Sequence, residues 1–181
     1  MELEPVVLTA HSASGFVAQR FAIDHPERTL GLVFIGTPAT LRGHPGVQEA
    51  WDSTISKLTD PVDSEFVREI QKSALAQPVP EEFFETLVQE ALKVPAHVWR
   101  ATFEGFLEDD LSSELHRIGA PTLIVWGDRD RILSRSDHEA LATAIVGSRL
   151  MVYSGAGHSP HWEEPDRFAS DLASFIEELS S

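Results

Sequence analysis

The chain has 181 residues, of which 42% are apolar, enough for one domain with a hydrophobic core. It carries 29 Asp and Glu against 14 Lys and Arg, a formal charge of -15, which disfavours nucleic acid and anionic membrane surfaces as partners. The absence of cysteine excludes disulfides and cysteine-bound metals and fits a cytoplasmic protein. No apolar run approaches the ~20 residues of a membrane span, so we expect no membrane partner.

The first 40 residues alternate between strand and helix patterns. Residues 6–10 form a short β-branched run that predicts a buried strand, and residues 30–35 predict a second one. Between them, residues 14–25 have helical spacing that ends before Pro26. One apolar face of this helix can be formed by Phe16, Val17, Phe21 and Ala22.

The pattern changes between residues 41 and 108, where strand-like runs disappear. Helical patterns cover residues 46–58, 63–76, 80–92 and 95–107, separated by prolines. We interpret residues 41–108 as a helical cap insertion within a single domain that spans residues 1–181. An apolar stripe in its last helix is typical of core or pocket lining and consists of Trp99, Phe103, Phe106 and Leu107.

Strand signals return after residue 120. Residues 121–126 and 149–153 predict strands, and residues 134–146 and 164–179 predict helices. Glu163 and Glu164 lie at the start of the last helix, where a carboxylate would cap its positive end. Near-continuous apolar strands that alternate with helices indicate the α/β class, with a parallel sheet covered by helices.

Ser12 lies between the first predicted strand and the first predicted helix. A serine on such a sharp turn lifts its hydroxyl above the strand ends, and the helix N-terminus beneath it favours developing negative charge. Small residues are needed two before and two after it, and Ala10 and Ser14 meet that need, although glycines are usual. The turn is therefore a candidate nucleophile site, with an ordinary helix N-cap serine as the alternative.

Two acids follow the third predicted strand, in the sequence Gly127-Asp128-Arg129-Asp130. Loops at this end of a parallel sheet build active sites, and an acid there orients a histidine. We assign Asp130 this role and interpret Asp128 as a residue of the turn.

His158 follows the last predicted strand in a glycine-containing loop, Gly155-Ala156-Gly157. Such a loop allows the imidazole to reach the serine and act as a base. His161 and His11 are competitors for that role. His161 lies beyond Pro160, and the side chain of His11, adjacent to Ser12, is expected to point elsewhere.

The order Ser12, Asp130, His158, each after a strand, is the order of a nucleophile-elbow triad. The chain resembles the α/β-hydrolase superfamily, in the branch of single-domain esterases, C–C hydrolases and cofactor-free peroxidase-like enzymes. The resemblance is carried by PVVLTAHSASG (5–15), HPERTLGLVFIGT (25–37), IGAPTLIVWGDRD (118–130) and GAGHSPHWEEPDRF (155–168).

The resemblance implies a serine hydrolase without cofactor or metal that takes a small-molecule ester. Ser12 would be the nucleophile, His158 the base, Asp130 the orienting acid, and the backbone N–H of Ala13 one oxyanion donor. C–C hydrolase and cofactor-free peroxidase activities use the same triad and stay open as alternatives.

The chain departs from the superfamily before residue 10. The usual N-terminal strands and the loop that supplies a second oxyanion donor are absent, so we expect a truncated α/β-hydrolase fold with the first strand at an open edge. A fragment, a section supplied by another chain and a compact fold would each explain this. If the chain is a fragment, we expect a weak or inactive enzyme, or a binding module of the same fold. If another chain supplies the section, we expect a homo-oligomer that covers the open edge.

Overall fold

The computed structural model describes residues 4–179, which form one parallel sheet with helices on both faces. The four strands are β1 (Val6–His11), β2 (Thr29–Ile35), β3 (Thr122–Gly127) and β4 (Arg149–Tyr153). The helices are α1 (Ser14–Asp24), α2 (Pro45–Ser53), α3 (Ser64–Ser73), α4 (Glu81–Ala91), α5 (Ala96–Glu108), α6 (Arg135–Ala144), α7 (Pro160–Glu163) and α8 (Pro165–Leu179). Short 3₁₀ turns occupy Pro26–Arg28, Ile55–Lys57 and Leu115–Arg117.

The strands lie in the order β1-β2-β3-β4, and every neighbouring pair is parallel. Such pairs need crossover connections, which the intervening helices provide. The predicted α/β architecture is therefore confirmed, and β1 forms one edge of the sheet as expected. Oligomerisation through this edge stays a prediction.

The two central strands divide the core between the faces of the sheet. Leu32 and Phe34 of β2 pack towards α1 and α6, whereas Val33 and Ile35 pack towards α8. All four side chains are buried. This alternation follows from the two-residue period of a strand and explains why β2 appears in the sequence as a continuous apolar run.

The predicted apolar face of α1 is correct only in part. Ala22 is buried as predicted, and Phe16 and Phe21 are partly buried, but Val17 is 72% exposed, whereas Gly15 and Ala18 are buried. The reason is close packing, because a β-carbon at Gly15 would overlap the side chain of Thr37 at the end of β2. The buried side of the helix therefore includes three small residues, Gly15, Ala18 and Ala22, together with Gln19 and Ile23.

Residues 41–108, which we call the helical segment, lie between β2 and β3 and contain α2 to α5. The segment has its own apolar cluster, whose most buried members are Ile55, Val67, Val88 and Ala96. Within residues 4–179, no helix combines the length and the apolar character needed to cross a bilayer.

Candidate active site

Ser12 occupies a sharp turn between β1 and α1. Its φ angle is +50°, which makes it the one non-glycine residue with positive φ in the described part of the chain. Its N–H donates to the carbonyl oxygen of Ile35 at 2.8 Å, and the Ser14 hydroxyl donates to the carbonyl oxygen of His11 at 2.8 Å. These bonds fix the turn on both sides of the serine, and the small side chain at position 14 is part of it.

The structure brings Ser12, His158 and Asp130 together in one hydrogen-bonded chain. His158 Nε2 lies 2.8 Å from Ser12 Oγ, and His158 Nδ1 lies 2.8 Å from Asp130 Oδ2. The side chains of His158 and Asp130 are 4% and 0% exposed. The three residues follow β1, β3 and β4, whose carboxyl ends meet at the same edge of the sheet.

Asp130 is held as a carboxylate. Burial raises the pKa of Asp130, but the hydrogen bond and charge of His158 and the N–H groups of Leu133 and Ile132 lower it more, to below its usual value. An ionised Asp130 accepts the Nδ1–H of His158. His158 Nε2 then bears a lone pair towards the Ser12 hydroxyl.

The competing residues take other positions. Asp128 accepts hydrogen bonds from the Ser154 hydroxyl at 2.9 Å and from the Gly155 N–H at 2.6 Å, which lower its pKa. Asp128 is therefore a residue of a turn, as predicted, and its carboxylate also bonds to the turn at Ser154 and Gly155. The ring of His161 lies against that of His11, with centroids 4.6 Å apart, and makes no hydrogen bond to Ser12.

His11 has a contact that the sequence did not indicate. Its Nε2 lies 3.2 Å from the carbonyl oxygen of His158 and 3.3 Å from Ser159 Oγ. Because a carbonyl oxygen only accepts, this nitrogen carries the proton. Burial, with the nearby charges of His158 and His161, lowers the pKa of His11 to about 3. His11 is therefore a neutral donor that holds the backbone of His158.

The backbone N–H of Ala13 meets the main requirement of an oxyanion donor. It directly precedes α1 and makes no hydrogen bond with any residue in the range 4–179. The N-terminus of α1 adds a favourable field for negative charge. No group of three or more His, Asp or Glu residues in the same range is placed to hold a metal ion.

A cavity of about 730 Å³ opens above Ser12 and His158. The helical segment supplies much of its wall through Val47, Trp99, Phe103 and Phe106, and Trp162 closes another side. Polar side chains also reach it, among them His44 and Arg131. The interpretation of the apolar stripe as core or pocket lining agrees with the structure, since Trp99, Phe103 and Phe106 line the cavity and Leu107 packs in the adjoining apolar cluster.

The chain matches a known protein family and several known proteins. The family model described as "Alpha/beta hydrolase family" matches residues 2–171. A monoacylglycerol lipase from Xenopus laevis is 26% identical over 98% of this chain and 56% of its own length. A 2-hydroxy-6-oxononadienedioate/2-hydroxy-6-oxononatrienedioate hydrolase from Pseudomonas putida is 27% identical over 97% of this chain and 64% of its own.

A solved structure agrees with these relatives. A thermophilic esterase from Thermogutta terrifontis superposes with a TM-score of 0.81 at 25% identity, covering 98% of this chain and 66% of that one. The chain thus spans between 56% and 66% of the length of these three proteins. With the family model matched over nearly the whole chain, this protein belongs to the alpha/beta hydrolase family.

Proposed function

We propose that this chain is a serine hydrolase that cleaves carboxylic esters through an acyl-enzyme on Ser12. The observation that carries the proposal is the hydrogen-bonded chain from Ser12 Oγ through His158 to Asp130, at the base of an apolar cavity. The names of the relatives support it, since they include a lipase and an esterase.

In the proposed reaction, Ser12 Oγ attacks the ester carbonyl while His158 Nε2 takes its proton. Asp130 holds the imidazole in the required tautomer and stabilises the imidazolium. The Ala13 N–H donates to the oxyanion of the tetrahedral intermediate. His158 then protonates the leaving alcohol, and the same residues activate water to release the acid from Ser12.

The cavity supports an ester with a modest apolar group as the substrate. Its aromatic wall offers apolar surface, and its volume of about 730 Å³ lies in the range of small-molecule sites. We propose that the helical segment, residues 41–108, acts as the cap over this site. A second candidate is cleavage of a carbon–carbon bond in a 2-hydroxy-6-oxodienoate, favoured by the relative from Pseudomonas putida.

The test compares wild type, Ser12→Ala and Ser174→Ala with p-nitrophenyl butyrate and with a fluorophosphonate probe. Ser174 is an exposed serine of α8 whose hydroxyl donates to the Ser170 carbonyl, so it is a matched control. We expect Ser12→Ala to lose roughly 10⁴-fold or more in turnover and all labelling, and Ser174→Ala to behave as wild type.

Equal rates for wild type and Ser12→Ala would refute the proposal and favour a binding module that keeps the triad residues without turnover. Probe labelling of Ser12 without esterase turnover, together with cleavage of a 2-hydroxy-6-oxodienoate, would favour the second candidate.

A further inference from the structure

The carboxylate of Glu163, at the end of α7, bonds to two separate parts of the chain. Its Oε2 accepts from the N–H groups of Ala76 at 3.0 Å and Gln77 at 2.6 Å, in the connection between α3 and α4. Its Oε1 accepts from the N–H of Gly157 at 2.8 Å. One side chain therefore joins the helical segment to the residue that precedes His158.

This arrangement differs from the cap predicted for the start of α8. No N–H group of α8 donates to Glu163, and within residues 4–179 the side chain makes no ion pair, whereas the adjacent Glu164 pairs with Arg167 at 3.2 Å. Hydrogen bonds to an ionised acceptor are shorter and stronger than neutral ones. The carboxylate thus accepts from three backbone N–H groups that have no other hydrogen-bond partner among residues 4–179.

The two backbone segments also touch directly. A β-carbon at Gly157 would lie 2.7 Å from the N of Ala76 and 3.0 Å from the carbonyl oxygen of Ala74. Ala74, together with Ile70 and Ser73 at the end of α3, lines the cavity above Ser12. A displacement of this wall therefore acts on the backbone of the loop that carries His158.

We propose that Glu163 is a positioning residue that couples the placement of the helical segment to that of His158. The inference rests on the proposed function of the Ser12–His158–Asp130 site. When all three bonds are made, the cavity wall and the His158 loop move as one body. When the carboxylate is lost, the wall and the loop separate, and His158 loses its alignment with Ser12.

The experiment compares Glu163→Gln and Glu163→Ala with Glu178→Gln, which removes the same charge from an exposed side chain on α8. Glutamine keeps one acceptor oxygen but turns an NH₂ group towards a backbone N–H, so we expect it to be intermediate. Hydrogen exchange of the amides in 74–77 and 155–158 should accelerate about tenfold in Glu163→Ala and stay at the wild-type rate in Glu178→Gln.

For short p-nitrophenyl esters, we expect Glu163→Ala to lower kcat about tenfold with KM nearly unchanged, because alignment is lost rather than binding. The pH profile of kcat should differ from that of wild type in both Glu163 variants, and Glu178→Gln should keep the wild-type profile. Thermal unfolding establishes that each variant is folded, and Glu163→Gln keeps the test valid if Glu163→Ala does not fold.

Faster exchange at 74–77 with unchanged kcat and pH profile would overturn the proposal, since Glu163 would then be structural only. Faster exchange on one side of the carboxylate alone would overturn it as well. A wild-type protein that the fluorophosphonate does not label would refute the proposed function instead. In that case the exchange pattern still decides whether Glu163 couples the two segments.

Discussion

Gly36 lies directly against His158. A β-carbon at Gly36 would lie 2.7 Å from the carbonyl oxygen of His158 and 3.0 Å from Nδ1 and Cε1 of its ring. Gly36 follows β2, and its N–H donates to the carbonyl oxygen of Val125 in β3 at 3.0 Å. The residue that follows β2 therefore packs directly against the His158 loop and limits its position. Position 36 has no room for a side chain.

Gly36→Ala is expected to displace His158 and to lower fluorophosphonate labelling of Ser12 at least tenfold. Gly43→Ala is the matched control, because Gly43 also has positive φ, at 73°, but has no atom near its β-carbon position. Both variants carry the ~1–2 kcal/mol strain of a left-handed alanine. Similar labelling of the two variants would show that contact with His158 is unimportant.

Gly15→Ala is expected to lower the free energy of unfolding by about 1–3 kcal/mol, because the added methyl group overlaps Thr37. Gly105→Ala in α5 meets no neighbouring atom and should instead raise it by about 0.5–1 kcal/mol, as alanine favours helix. Urea denaturation measures both changes. Destabilisation by Gly105→Ala, or none by Gly15→Ala, would contradict this account of the packing of α1.

Asp130→Asn is expected to reduce esterase turnover by about 10³–10⁴-fold, because an amide no longer fixes the tautomer of His158. Asp128→Asn, two residues earlier, disturbs only the bonds to Ser154 and Gly155, so it should stay within about tenfold of wild type. The measurement is kcat with p-nitrophenyl butyrate. If Asp128→Asn lost more turnover than Asp130→Asn, Asp128 rather than Asp130 would be the acid that orients His158.

Folding stability is expected to fall as the pH decreases from 6.5 towards 5. Burial lowers the pKa of His11 to about 3 and that of His161 to about 4, from 6.5. The unfolded chain therefore binds protons in this window that the folded chain does not, and each histidine destabilises the fold by ~1.4 kcal/mol per pH unit.

His11→Gln should make this dependence shallower by about one proton, while its amide can still donate to the His158 carbonyl. His97→Gln, at an exposed position of α5, is the control and should leave the slope unchanged. Urea midpoints at pH 7, 6 and 5 measure the slope. A slope for His11→Gln equal to that of wild type would show that His11 is protonated in the folded state.

The strands were predictable because buried parallel strands appear as continuous apolar runs. The predicted strand at 149–153 coincides with β4, and the predicted strand at 30–35 lies within one residue of β2. The close approach of α1 to Thr37 at Gly15 was not predictable from the pattern of apolar residues. Periodicity gives the helix but not the distance at which it packs.

The residues brought together at the candidate site were predictable from their order, since each follows a strand of one parallel sheet. The residues that support His158 were not. Gly36 and His11 act on its backbone, and Glu163 bonds to amides as far as 87 residues away. Backbone groups occur at every position, so a bond to them leaves no signature in the residue types.

The left-handed conformation of Ser12 implies a trade-off between stability and activity. A non-glycine residue with φ near +50° costs roughly 1–2 kcal/mol, and glycine at the same position would relieve most of that cost. Ser12→Gly should therefore be inactive and yet more resistant to unfolding than the parent chain. Selection for thermal stability alone would therefore favour glycine at position 12. A serine is expected there only if selection also acts on the activity of its hydroxyl.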